Sequence, residues 1–186
     1  MYKRQVSGRA VFTENWEGVE HLNVMGSGSM GAFSVLGEKF QRASCDFSYE
    51  DGNFYVTDLD IRHPGGVFSG KVMGVDGEIK IDVHSTLPMH AMLDMARSIA
   101  PEDVKLPLTL EIKGDPELKV YGTVGMGKGW KGPFRVDRLQ IEAAVTDVSY
   151  QGVEFASAAA RGELIGRSIN VTQLDLARDC LLYTSP

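Results

Sequence analysis

From Glu78 to His84 the chain alternates polar and apolar residues without a break. On an extended backbone this puts Ile79, Ile81 and Val83 on one side and Glu78, Lys80, Asp82 and His84 on the other, the mark of a half-buried strand. The same period of two runs through Ala43, Cys45, Phe47 and Tyr49, and through Leu108, Leu110 and Ile112. It returns in Leu118, Val120, Gly122 and Val124, and again in Leu139, Ile141, Ala143 and Val145. Between runs, Asp51-Gly52, Asp76-Gly77 and Gly65-Gly66 predict tight hairpins, because these residue types tolerate the positive φ such turns need. The pattern predicts about a dozen strands, mostly antiparallel, which at about 4.8 Å each would extend a single sheet to roughly 60 Å.

One segment has a different period. From Pro88 to Ala100, Met89, Met92, Leu93, Ala96 and Ile99 fall at helical spacing, with Ser85 or Thr86 as a cap and Pro101 beyond the end. This predicts a short amphipathic helix that plugs an end or flank of the sheet. Its polar face offers Arg97 as the only cation, which argues against a membrane-surface role. About thirteen residues give a helix of roughly 20 Å, too short to roof such a sheet.

The chain also repeats itself. Val35 to Ile61 aligns without a gap on Tyr150 to Leu176 at an offset of 115, pairing Gly37 with Gly152, Phe40 with Phe155 and Ala43 with Ala158. Val56-Thr57-x-Leu59-Asp60 then matches Val171-Thr172-x-Leu174-Asp175. Upstream, Val6-x-Gly8 and Trp16-x-Gly18 fall on Val120-x-Gly122 and Trp130-x-Gly132 at an offset of 114. Repetition on this scale predicts an extended architecture in which neighbouring units cover one another's faces. The expected division is a first unit over 6–118, carrying the helix, and a partial second unit over 119–180. Residues 1–5 and 181–186 do not continue the adjacent pattern. They resemble the translated adapter read-through that brackets reading frames from metagenomic assemblies, and are expected to be foreign to the fold.

Composition narrows the chemistry. Of 186 residues, 43% are hydrophobic and 24% charged, enough apolar surface for an extensive core and too much for a disordered chain. A net charge of −6, with 19 scattered Lys and Arg, argues against nucleic acid as a partner. Gly26-Ser27-Gly28-Ser29-Met30-Gly31 has the letters of a dinucleotide fingerprint but no helix opening after it, so its glycines read as strand and turn positions. Gly125-Met126-Gly127-Lys128-Gly129 lacks the end of a phosphate loop. His63, His84 and His90 do not have the spacing that would converge on one ion, and surface or capping roles are expected for each. Asp58 and Asp60 flank Leu59 and read as a solvated strand face, since the second copy keeps Asp175 but has Gln173 in place of the other acid. Two cysteines, Cys45 and Cys180, define no disulfide framework. Neither a catalytic constellation nor a cofactor or metal site emerges, and no enzymatic activity is expected.

The ordered words Leu118-Lys119-Val120-Tyr121-Gly122, Trp130-x-Gly132, Val148-Ser149-Tyr150-Gln151-Gly152-Val153-Glu154-Phe155 and Val171-Thr172-Gln173-Leu174-Asp175-Leu176 resemble the AsmA-like C-terminal region. That family is related to the long repetitive envelope proteins of the translocation-and-assembly-module type. In the first copy Gly37-Glu38-Lys39-Phe40 and Asp51 to Ile61 fill the same slots. The resemblance implies a curled, taco-like antiparallel sheet with an apolar concave face. It further implies an N-terminal helix in the inner membrane of a didermic bacterium, a periplasmic location, and a role in phospholipid transport or outer-membrane assembly, with other envelope proteins as partners. The alternating residues Ile79, Ile81, Val83, Leu108, Leu110, Ile112, Leu118, Val120 and Val124 are then the expected lining of a groove for phospholipid acyl chains. Two other classes fit repetition and alternation: a structural or adhesin-type β module without lipid transfer, and a carbohydrate-binding β domain. The latter needs exposed aromatics, whereas repeat-equivalent Trp16 and Trp130 read as packing positions.

Overall fold

The computed structural model describes residues 4–12, 22–35, 37–92, 110–125, 135–166 and 168–178. Among them the strands, in chain order, begin with β1 (Arg4–Phe12), β2 (Leu22–Met30), β3 (Phe33–Val35), β4 (Glu38–Phe40), β5 (Arg42–Glu50) and β6 (Asn53–His63). There follow β7 (Gly66–Val75), β8 (Glu78–Ser85), β9 (Leu110–Ile112), β10 (Pro116–Gly125), β11 (Arg135–Tyr150), β12 (Val153–Ile165) and β13 (Ser168–Ala177). Ten of them form one antiparallel path, β1-β2-β5-β6-β7-β8-β10-β11-β12-β13. The two ends of the path are not paired with each other, so the sheet is not closed.

Register turns the one-dimensional alternation into two chemically distinct faces, because directly opposed residues of antiparallel strands project to the same side. Ile81 lies opposite Val72 on one flank and Gly122 on the other, and Val83 lies opposite Gly70 and Val120. The row continues outward from Val72 to Val56 and Phe47, and from Val120 to Ile141. The other face carries charge, paired across strands: Lys71 with Asp82 at 3.4 Å, Arg138 with Glu163 at 3.3 Å and Arg161 with Glu142 at 3.8 Å. Such exposed pairs contribute little stability individually. They keep that face in water.

Apart from Val124 near the start of β8, the well-buried side chains collect at one end of the sheet. The β3-β4 hairpin leaves the main sheet and packs on β6, where Phe40 stacks on Phe33 with centroids 5.0 Å apart and meets the His63 ring edge-on at 5.5 Å. Past β8, Thr86 donates its amide to the Val67 carbonyl, Leu87 is buried just before the helical turn at 89–92, and Ala91 is buried within it. The predicted plug is thus present in its first turn. Residues 93–100 of the predicted helix lie outside the described residues.

Several expectations need correction. Asp51-Gly52 and Asp76-Gly77 do adopt positive φ, but Gly65 and Gly66 do not. They are needed for closeness instead: a Cβ on Gly66 would lie 2.1 Å from the Thr86 carbonyl oxygen, and one on Gly65 would lie 2.5 Å from Pro88 Cγ. The strand at Leu110 and Ile112 is not inserted in the meander, because β8 pairs directly with β10 while β9 pairs with the tip of β11. Arg4 and Gln5, read as foreign, pair with Met30 and Ser29 in β1; extended backbone joins a free edge whatever its origin. Residues 1–3 and 179–186 lie outside the described residues. Asp58 sits at φ 49 in a bulge that interrupts the β6-β7 ladder, so it does not simply alternate with Asp60.

The ladders also obey a constant shift. All seven β2-β5 pairs, such as Gly26 with Phe47, recur 115 residues later between β11 and β12, there as Ile141 with Gly162. All three β3-β4 pairs recur at the same shift, Phe33 with Phe40 becoming Val148 with Phe155. Seven of the eight β5-β6 pairs recur between β12 and β13, and the odd one falls at a register slip in both ladders. The upstream match at 114 does not hold in register. Val6 faces Gly28, whose counterpart Ala143 faces Leu118, so β1 and β10 correspond at 112. Words as short as Val-x-Gly do not distinguish a shift of two, which preserves the side of the sheet.

Candidate functional site

Beyond the plug, the apolar face sinks into a hollow over β10 to β13. The cause is side-chain size. Ala143, Ala158 and Ala160 form its floor, with Ala143 opposite Ala160 in the β11-β12 ladder. On one side Leu118 and Pro116 oppose Ala143 and Val145; on the other, Leu174 and Leu176 oppose Ala160 and Ala158. Small residues in the middle strands and larger ones outside leave a cavity of about 570 Å³. Met89 and Met92 of the helical turn line it as well, as do Ile112, Val148, Tyr150 and Phe155 at the tip of the β11-β12 hairpin. This volume is within the range of small-molecule pockets, roughly 300–1,000 Å³.

Each wall has a local reason. β9 pairs with Val148, Ser149 and Tyr150, bringing Ile112 opposite Val148, which is 3% exposed. Asp147, with φ 54, interrupts the β11-β12 pairing just before this tip without changing its register. Gln151 and Gly152 then close the β11-β12 turn with φ 51 and 79, and the Gln151 side-chain amide donates to the Tyr150 hydroxyl at 3.4 Å. Met92 approaches Ser85 through its sulfur, 3.5 Å from the hydroxyl. Flexible thioethers adapt to ligands of variable shape.

The polar face offers a different surface. A depression of about 690 Å³ is bordered by Asp58, Asp60, Lys71, Asp82 and His84, of which Asp60, Lys71, Asp82 and His84 are engaged in local pairs. Arg62 Nε donates to Asp60 Oδ1 at 3.0 Å and Arg42 Nη2 at 3.3 Å. The Arg62 hydrogen bond is the main cause that holds the Asp60 carboxyl below its usual range, with partial desolvation opposing it and Arg42 helping. Glu117 is likewise lowered, chiefly by Lys119 and then by His84, whose Nε2 lies 3.1 Å from Glu117 Oε1. His63 has a structural position: its Nδ1 accepts the Gly65 amide at 3.0 Å while Nε2 meets Glu38 Oε2 at 3.2 Å. Among the described residues, no group of three or more His, Cys, Asp or Glu is placed to hold a metal ion.

Of the residues expected to line a groove, Ile79, Ile81, Val83, Leu118, Val120 and Val124 share one face of β8 and β10. Leu118 and Ile112 also border the hollow. Leu110 belongs to β9, and Leu108 lies outside the described residues, as do Trp16 and Trp130. The alanine floor and the Leu174–Leu176 wall were missed. Alternation marked Ala143, but nothing in one strand reveals that its neighbours are also alanine.

No family model, curated protein or solved structure matches the chain. Among the described residues, no helix is long and apolar enough to cross a membrane, which says nothing of β-barrels.

Proposed function

We propose that the apolar face shelters the acyl chains of phospholipids, in a groove that begins at the helical plug and runs through the alanine-floored hollow. The observation that carries this reading is the hollow itself: a preformed cavity of about 570 Å³ whose lining, apart from Glu117, is aliphatic, thioether and aromatic. An acyl chain taken through water costs about 0.8 kcal/mol per CH₂, so two chains of ordinary length cost on the order of 20 kcal/mol. A trough of Ile, Val, Leu and Ala offsets most of that cost and requires no reactive group. The sequence resemblance to AsmA-like envelope proteins supports the same use and extends it to the periplasmic side of a didermic inner membrane, in phospholipid transport or outer-membrane assembly.

In this reading the trough is a repeated device. The unit of about 115 residues is supported by the constant register shift relating β2 through β6 to β11 through β13. It extends the trough by addition, each unit presenting the same face. In the first copy the β3-β4 hairpin is detached and packs as a plug; its counterpart remains continuous with β11 and β12 and borders the hollow.

Photo-crosslinking tests the proposal. A photoreactive residue at Ile81, Val120 or Ala160 is expected to capture labelled phospholipid, whereas one at Lys80 is not. Ile81→Asp lowers capture at Val120, and Lys80→Asp leaves it unchanged. Equal capture from both faces, or none from the apolar positions, overturns the groove and favours a structural β module.

A further inference from the structure

Among the described residues β13 is the last strand of the path, and it has the character of an acceptor rather than a finished edge. Ile169, Val171, Leu174 and Leu176 are 67%, 65%, 62% and 52% exposed, and Asp175 is the only charged residue in the strand. Edges that end a sheet are usually blunted by lysine, proline, inward charge or a bulge. β13 has no lysine or proline, and its bulge at Thr172 does not blunt it. The corresponding strand β6 contains a bulge too, at Thr57 and Asp58, and still carries a full partner in β7.

The register shift says what that partner looks like. β13 corresponds to β6, and the side of β6 away from β5 takes β7, with Ile61 opposite Phe68, Asp60 opposite Ser69, Leu59 opposite Gly70 and Val56 opposite Val72. Transferred by 115, these positions are Leu176, Asp175, Leu174 and Val171. We propose that β13 is the docking edge for a β7-type strand contributed by another repeat of the same kind. That strand runs antiparallel to β13, with an aromatic residue facing Leu176, a small polar one facing Asp175 and a glycine facing Leu174. The glycine is carried over from Gly70, which has φ 149 and whose added Cβ would lie 2.3 Å from the Asp82 carbonyl oxygen of β8, the strand on its far side. Pairing in this register covers the exposed apolar row of β13 and carries the apolar face onward by at least one strand.

This inference rests on the repeat correspondence and not on lipid binding. The test is register-specific disulfide capture on the full chain in a Cys45→Ser, Cys180→Ser background. Asp175→Cys is mixed, in a glutathione redox buffer, with a synthetic peptide of the β7 sequence, Gly66 to Val75, carrying Ser69→Cys or Met73→Cys. The Ser69→Cys peptide is expected to be captured at least tenfold more than the Met73→Cys peptide, with the preference reversed when the cysteine is moved to Asn170. Hydrogen exchange on the unsubstituted chain with the unsubstituted peptide provides the second reading, in which β13 amides gain protection and those of β7 do not change. Equal capture of both peptides, a chain-to-chain disulfide at Asp175→Cys in preference to the peptide, or protection gained at β1 rather than β13 overturns the proposal. Failure of lipid crosslinking leaves it standing, and failure of register-specific capture leaves the groove standing.

Discussion

At the scale of single residues, two glycines allow strands to approach where a neighbour is bulged. Gly122 lies opposite Leu139 near the extra residue Asp137 of β11, and Gly162 lies opposite Val171 beside the bulge at Thr172. At Gly122 the backbone has φ 147, and an added Cβ would lie 2.1 Å from the Arg138 carbonyl oxygen. Gly122→Ala is therefore expected to cost roughly 2 kcal/mol. For a chain of this size that lowers Tm by about 4–8 °C. Gly28→Ala meets only Cys45 Sγ at 4.0 Å and should leave Tm within a degree or two in the same calorimetric scan. A second residue-scale expectation concerns Asp60. Its carboxyl is depressed by Arg62 and Arg42, so its contribution is present above the ordinary Asp range and disappears as pH falls through the lowered value. Asp60→Asn should therefore be slightly less stable than the parent at neutral pH and indistinguishable from it in strong acid. Because the pair is exposed, added salt should shrink the difference, and a difference that grows on acidification would contradict the assignment.

At the scale of elements, the β3-β4 hairpin and the β11-β12 tip share one register at a shift of 115 but differ in surroundings. Phe40 is buried against Phe33 and His63, whereas Phe155, at the matching register position, faces the hollow with the Arg178 guanidinium 5.1 Å from its ring centroid. Phe40→Ala is expected to destabilise by about 3–4 kcal/mol, because little of the surrounding packing can collapse into the space. Phe155→Ala should cost clearly less, since its ring packs against an open cavity rather than a filled core. Urea denaturation of the two variants measures the contrast, and equal losses would mean that the hollow is as tightly packed as the plug. Filling the floor is the opposite manipulation. Ala160→Leu should fold, because its side chain enters space already empty, and should reduce lipid capture from Val120 several-fold.

For the whole molecule, the governing fact is a broad sheet with one charged face, one apolar face and an aromatic plug at one end. Most apolar side chains on the sheet are only half-buried among the described residues, in contrast to Leu87 at 1% exposure. Apolar surface left partly exposed on this scale favours an occupant. In sedimentation experiments the chain is expected to self-associate in plain buffer and to become a detergent-bearing monomer above the critical micelle concentration of a mild non-ionic detergent. A monodisperse monomer that binds no detergent would show that the face is already covered.

How much of this was legible in the sequence divides along the range of the physics involved. Alternation from Glu78 to His84 and from Leu118 to Val124 is a local property of extended backbone, so the strands and their two chemical sides could be read directly. The same holds for Asp51-Gly52 and Asp76-Gly77, whose turn geometry depends on the residues themselves. The words that align Phe40 with Phe155 are local too, and the β3-β4 and β11-β12 ladders have the same register at that shift. What the tertiary structure alone decided depends on the meeting of distant segments: β9 on β11 instead of between β8 and β10, His63 against Glu38, and Gly66 under Thr86. The hollow belongs to this second kind. Ala143, Ala158 and Ala160 are unremarkable along the chain and become a cavity floor only when β11 and β12 lie in register between Leu118 and Leu174, because empty space is a property of neighbours and not of any single strand.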